Sequence, residues 1–219
     1  KRNRCADRWT LGYQGNGTLS EYILAPEELV SQGHLLKVPL HMSADLAAMV
    51  EPFACALYSL EVCQLPPGGS LAIIGAGPMG LIHLLIAKAM GCKNITVSDP
   101  LEDRLALARE LGATSTVNPS KDDLQQTILD VTGGIGVDAS VVSVGNVGAI
   151  EAGLQVARKQ GYVNIFGGVP PGSVLSLDPN LIHYNELFLT GTQNAPSEHY
   201  ARAVPVLDSI PEAQRLITD

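Results

Sequence analysis

From Leu65 onward, short apolar runs rich in Val and Ile alternate with longer stretches of helical period. "SLAIIGAG" predicts a buried strand, and "GPMGLIHLLIAKAMG" a helix with an apolar face. "NITVSD" predicts a second strand, and "LEDRLALARELG" a helix closed by glycine at its C-terminus. A weaker strand, "ATSTVN", precedes the helix "KDDLQQTILDVTG". Next come "GVDASVVSV" as a strand, "VGAIEAGLQVARKQG" as a helix, "YVNIFGG" as a strand and, after a proline- and glycine-rich loop, "ELFLTGT" as another. Strand–helix–strand repeated in this way predicts an α/β fold whose parallel sheet is covered on both faces. The spacing favours a Rossmann doubly wound sheet over a barrel.

The first 60 or so residues have another pattern. "GTLSEYILA" alternates and carries Thr, Tyr and Ile, and "HLLKVP" is a second short extended piece. They predict antiparallel β elements of a separate unit, joined to the sheet by a helix over Ala47–Leu60. The turn-rich "QLPPGGS" (Gln64–Ser70) marks the boundary. The expected division is therefore residues 1–63, then a nucleotide-binding unit over 64–195, then 196–219.

Composition narrows the function. Of 219 residues, 46% are hydrophobic and 16% charged, and the net charge is -8 with no basic run beyond "KRNR". That balance argues against nucleic acid or an anionic membrane as the main partner. No apolar run approaches the roughly 18 residues of a membrane span. Four cysteines (Cys5, Cys55, Cys63, Cys92) without a CxxC pair suggest reduced thiols and a cytoplasmic setting.

Gly75, Gly77 and Gly80 form G-x-G-x-x-G as "GAGPMG", between a predicted strand and a predicted helix. In that context the first glycine allows a tight turn, the second a close approach of a pyrophosphate, and the third close helix–strand packing. The helix N-terminus, which Pro78 opens without an N–H of its own, offers N–H groups from Met79 onward to phosphate. Asp99 ends the second strand in "VSDP", 19 residues after Gly80. A carboxylate there would bind ribose hydroxyls and repel a 2′-phosphate, predicting NAD over NADP. The plainer alternatives are an ordinary strand–helix turn and a helix N-cap.

One carboxylate stands out. Glu51 interrupts the apolar run "AAMVEPFACALYSL". A bare buried carboxylate is costly unless hydrogen-bonded, paired or bound to metal. The plain reading puts it at a helix rim facing solvent.

Taken in order, "LGYQGNGTLSEYILAP", "VEPFACAL", "GAGPMGL", "VSDPLEDRLALARELGAT" and "ELFLTGT" resemble the zinc-dependent medium-chain dehydrogenases, in the branch of sorbitol, threonine and sugar-alcohol-phosphate dehydrogenases. The resemblance spans essentially the whole chain. It implies a Rossmann domain beside remnants of a β-rich (GroES-like) catalytic domain. It also implies that Arg104 lies by the adenine, that Val144 and Gly145 pass under the nicotinamide ribose, and that Phe166 and Gly167 meet the carboxamide. Ordinary sheet packing at strand ends is the alternative for Val144, Gly145, Phe166 and Gly167. Glu51 aligns with the position that supplies a ligand to the catalytic zinc, directly or through water, and Cys5 with the last cysteine of a structural-zinc lobe.

The other zinc ligands of that family are absent from the sequence, which the resemblance makes look cut short at both ends. Gly33-His34-Leu35 lacks the motif's Glu, and Cys55 is expected as a core cysteine. The expected cofactors are NAD and, only with further ligands, zinc. The expected partners are a small-molecule alcohol or ketone and further copies in a homodimer or homotetramer. The expected activity is hydride transfer between a secondary alcohol, polyol or sugar alcohol, and nicotinamide. The alternatives are a non-catalytic NAD-binding module and a zinc-independent reductase.

Overall fold

The computed structural model describes residues 5–7 and 9–218, so all of "KRNR" lies outside the described residues. Six strands form one parallel sheet: β1 (Ser70–Ile74), β2 (Asn94–Ser98), β3 (Ser115–Val117), β4 (Val137–Val142), β5 (Ala157–Ile165) and β6 (Phe188–Gly191). Their order is β3-β2-β1-β4-β5-β6, so the chain reverses direction of travel between β1 and β4. That reversal defines the doubly wound fold and opens a crevice at the carboxyl ends of the strands.

Every residue of β1 is buried, as a central parallel strand requires. Leu71 and Ile73 face one apolar layer, made with α3 (Val50–Val62), α4 (Pro78–Ala89), α5 (Glu102–Leu111) and α9 (Ser197–Asp208). Ala72 and Ile74 face the other, made with α6 (Leu124–Thr132) and α7 (Val147–Val156). Each fully buried Leu or Ile in these layers contributes about 1.5–3 kcal/mol relative to exposure. The helix ends follow local chemistry. Gly112 closes α5 and Gly133 closes α6, both left-handed, and the Asp123 carboxylate caps α6 by accepting from the Gln126 N–H. The short α8 (Pro179–Asn185) is capped in the same way by Asp178.

Helix α3, from the N-terminal part of the chain, packs on α4 and α9 within the first layer. Glu61 near its end binds His199 Nε2 at 3.0 Å and Arg202 on α9.

Two expectations need correction. "GTLSEYILA" and "HLLKVP" form no strands; the segment holds turns, α1 (Glu27–Ser31), α2 (Ala44–Ala48) and one isolated bridge, Leu11 to Gly15. Leu19, Tyr22 and Leu24 are exposed there, because alternation makes a strand only where a neighbour takes its backbone hydrogen bonds. The helix expected over "VGAIEAGLQVARKQG" stops at Val156, and the chain passes at Ala157 into β5, with Gln160 turned at φ +60. Arg158 Nε donates to Asp138 Oδ1 at 2.8 Å, which draws this segment alongside β4.

Candidate functional site

The crevice is built from the loops that leave β1, β2, β4 and β5. Gly75, in the left-handed region at φ +103, turns the chain out of β1, and its N–H donates to Ser98 O at 2.7 Å. A Cβ on Gly80 would stand 1.9 Å from Gly75 O, so the first turn of α4 closes on β1 only with glycine there. Gly77 differs: a Cβ on it would meet nothing within 4 Å. It is the N-cap of α4, with Pro78 at the first helical position. Bare backbone at a helix N-terminus is a cradle fitted to phosphate.

Asp99 is almost fully buried. Its Oδ2 accepts from the Ala76 N–H at 2.8 Å, and its Oδ1 from the Leu101 N–H at 2.9 Å. The alternative of a helix N-cap does not hold, since the N-cap of α5 is Leu101 and carries no side-chain bond. Arg104 Nη1 lies 3.5 Å from Asp99 Oδ2, with the arginine side chain half-exposed.

On the other side of β1, Val144, Gly145, Phe166 and Gly167 come together. A Cβ on Gly145 would stand 2.2 Å from Gly168 O, and one on Gly167 would stand 2.7 Å from Val144 C. The two loops therefore touch backbone to backbone, and Val144 also faces Gly75. The Phe166 and Gly167 N–H groups both donate to Val142 O, at 3.0 and 2.8 Å. One continuous wall thus runs from Asp99 through the glycine loop to Phe166. An open depression of about 460 Å³ beside it is lined by Ile165 and by Leu189–Gln193.

Glu51 is exposed in the first turn of α3, where Cys55 one turn later donates to its Oε1 at 3.2 Å. Burial, and then the Glu51 charge, push the Cys55 thiol up to about 12, so it stays protonated at neutral pH. Cys55 is half-buried rather than in the core. Among the described residues no group of three or more His, Cys, Asp or Glu side chains is placed to hold a metal, and Cys5 is exposed. Two donors from one helix do not fit zinc, which takes at least three protein ligands.

Two features of the site escape motif reading. Asn164, buried in β5, accepts from the Ser59 and Thr192 hydroxyls and donates to Thr190 Oγ1. His83, buried in α4, touches both Met79 and Phe166. A polar residue inside an otherwise apolar strand or helix is the signal that could have found them.

The comparisons with known proteins agree with this architecture. D-arabitol-phosphate dehydrogenase of Enterococcus avium is 35% identical over 208 residues, covering 94% of this chain and 57% of the relative. L-threonine 3-dehydrogenase of Bacillus velezensis is 38% identical over 162 residues, covering 74% of this chain and 45% of the relative. The chain thus spans about half the length of these curated relatives. A crystal structure of a zinc-binding dehydrogenase from Sinorhizobium meliloti 1021 bound to NADP superposes with a TM-score of 0.85 at 27% identity, covering 99% of this chain and 61% of that one. The model of the zinc-binding dehydrogenases matches residues 78–209, from the first turn of α4 to the end of α9, and the chain belongs to that family.

Proposed function

We propose that this chain forms the dinucleotide-binding part of an NAD-dependent oxidoreductase that moves a hydride between a secondary alcohol, polyol or sugar alcohol, and nicotinamide. The observation that carries the reading is the Asp99 carboxylate fixed against the Ala76 N–H of the glycine loop. It holds a negative charge where an adenosine ribose would lie, next to a phosphate cradle open at Gly77. Gly75, Gly77, Pro78, Met79 and Gly80 would take the pyrophosphate, with Asp99 and Arg104 on the adenosine side. Val144, Gly145, Phe166 and Gly167 would take the nicotinamide side. The dinucleotide supplies the hydride acceptor, and these residues bind and orient it.

The Sinorhizobium meliloti relative was solved with NADP. For this chain NAD is favoured, because a 2′-phosphate would meet the buried Asp99 charge. Titration of residues 1–219 with NADH and NADPH tests this: tighter NADH binding is expected, and tighter NADPH binding would overturn the assignment.

Glu51 and Cys55 by themselves supply too few donors for a zinc site. Zinc-dependent alcohol oxidation belongs to an assembly that adds further ligands, with Glu51 as this chain's contribution, and residues 1–219 alone are expected to be inactive. The division into residues 64–195 as the nucleotide-binding unit, flanked by parts of a catalytic domain, goes with this reading. A second reading, a dinucleotide-binding module without turnover, is favoured by the Glu51 carboxylate already engaging Cys55.

An edge strand, β6, with exposed Phe188 and Leu189 supports a homodimer or homotetramer. Free cysteines at positions 5, 55, 63 and 92 suit a reducing cytoplasm. No helix among the described residues is long and apolar enough to cross a membrane.

A further inference from the structure

His83 is a fully buried imidazole on α4, one turn past the glycine loop. Its Nδ1 lies 2.7 Å from Met79 O, so Nδ1 carries the hydrogen and donates to that carbonyl. The tautomer leaves Nε2 as an acceptor, and Nε2 is buried with no hydrogen-bond partner. A leucine or phenylalanine would fill the same space without an unpaired acceptor, so apolar packing alone does not account for histidine here. The ring meets Phe166 edge-to-face, with centroids 4.7 Å apart and planes at 85°.

That contact bridges two walls of the crevice. Met79 belongs to the first turn of α4, whereas Phe166 immediately follows β5. With the ribose of the adenosine half at Asp99 and the pyrophosphate over the glycine loop, the second half of a dinucleotide must cross to the β4–β5 side, where Phe166 and Gly167 stand. We propose that His83 is a positioning residue for the nicotinamide half: anchored to the first turn of α4, its ring holds Phe166 and so sets the Phe166–Gly167 backbone relative to the phosphate cradle. This rests on the dinucleotide reading above and assigns the histidine a task that the glycine motif does not include.

The test separates the two halves of the ligand. ADP-ribose carries the adenosine and pyrophosphate but no nicotinamide, so its affinity for residues 1–219, measured by calorimetry, is set against that of NADH. His83→Asn keeps a donor on Cγ for Met79 O and removes the ring. It is expected to weaken NADH by about five- to tenfold, the range of one aromatic contact, and to leave ADP-ribose within about twofold. His83→Phe keeps the ring but loses the donor that anchors it to Met79 O, so it is expected to weaken NADH as well while leaving ADP-ribose within about twofold. Parental NADH affinity in this variant would show that packing alone suffices and would overturn the proposal. Phe166→Leu should reproduce the His83→Asn pattern, and the double variant should lose no more than either single one.

Equal weakening of both ligands by His83→Asn, or no weakening of NADH, would overturn the proposal. If His83→Asn does not fold, His83→Leu, which likewise removes the ring against Phe166, decides by the same criterion. A parent chain that binds neither ligand removes the dinucleotide reading itself, a signature distinct from a variant that loses selectivity.

Discussion

Ser59 and Asn164 join through a 3.1 Å hydrogen bond from the Ser59 hydroxyl to Asn164 Oδ1, although 105 positions separate them in the chain. Both side chains are fully buried. Thr192 donates to the same oxygen, and Asn164 Nδ2 donates to Thr190 at 3.0 Å. This network fixes α3, the helix that carries Glu51, against β5 and the end of β6. Apolar packing by itself tolerates sliding between a helix and a sheet; a satisfied buried amide does not.

Asn164→Leu therefore strands the buried Ser59 hydroxyl and takes the partner of the half-buried Thr192, while Thr190 keeps its donation to Val163 O at 3.3 Å. A loss of about 2–4 kcal/mol is expected from leaving such groups unsatisfied, read as the urea midpoint at unchanged slope. Ser59→Ala should cost about 1 kcal/mol, and the pair should couple when combined, since they share one hydrogen bond. Additive effects would show that Asn164 acts through Thr190 and Thr192 alone.

Asp99 offers the sharpest test of cofactor choice. Asp99→Ser removes the charge that would oppose a 2′-phosphate, and a serine hydroxyl can still bond a ribose oxygen. The ratio of NADPH to NADH affinity should rise by about tenfold or more in fluorescence titrations, the effect of losing roughly 1.4 kcal/mol of charge repulsion. The variant also loses the Ala76 anchor, so NADH affinity itself should fall. An unchanged ratio would mean that Asp99 organises the loop without reading the ribose.

The sheet and the glycine loop were legible in the sequence because their determinants are local. Gly75, Gly77 and Gly80 sit within six residues, and runs such as "SLAII" carry their own burial signal. Asn164 and His83 were not legible as site residues, because their partners are distant along the chain or have no motif. The N-terminal strands failed for the opposite reason. Alternation in "GTLSEYILA" encodes one face of a strand, but a strand needs a paired neighbour, and no described segment pairs with it. The helical period over 147–161 continues past the true helix end at Val156, because nothing local announces the Arg158–Asp138 pair beyond it.

Gly77 and Gly80 should separate binding from folding. Gly80→Ala drives a methyl to 1.9 Å from Gly75 O, a backbone atom that cannot step aside. It is expected to cost about 3 kcal/mol or more in chemical denaturation, through strain in the first turn of α4. Gly77 has φ -71 and open space around its Cβ position, so Gly77→Ala should stay within about 0.5 kcal/mol of the parent. Its added methyl instead enters the phosphate cradle, and NADH affinity should fall by about tenfold as close backbone approach is lost. Normal NADH affinity in Gly77→Ala would place the pyrophosphate elsewhere.

Stability should also carry the mark of His83 in acid. Burial lowers its pKa from 6.5 to about 4, against a smaller opposing effect of the bond to Met79 O. Between pH 6.5 and about 4 the unfolded chain takes up a proton at this ring that the folded chain refuses. Stability contributed by the neutral ring is therefore complete above pH 6.5, falls as the pH falls, and stops falling below about 4. The shift corresponds to about 3 kcal/mol across that window. Glu61, held below the usual carboxylate range by Arg202 and His199 despite its burial, adds its own acid sensitivity in parent and variant alike. The difference between the parent and His83→Phe isolates the histidine, because phenylalanine keeps the ring and cannot titrate. Urea denaturation at a series of pH values should show the variant losing less stability than the parent on acidification. Parallel curves would mean that the ring gains a proton at the same pH in the folded and unfolded chains.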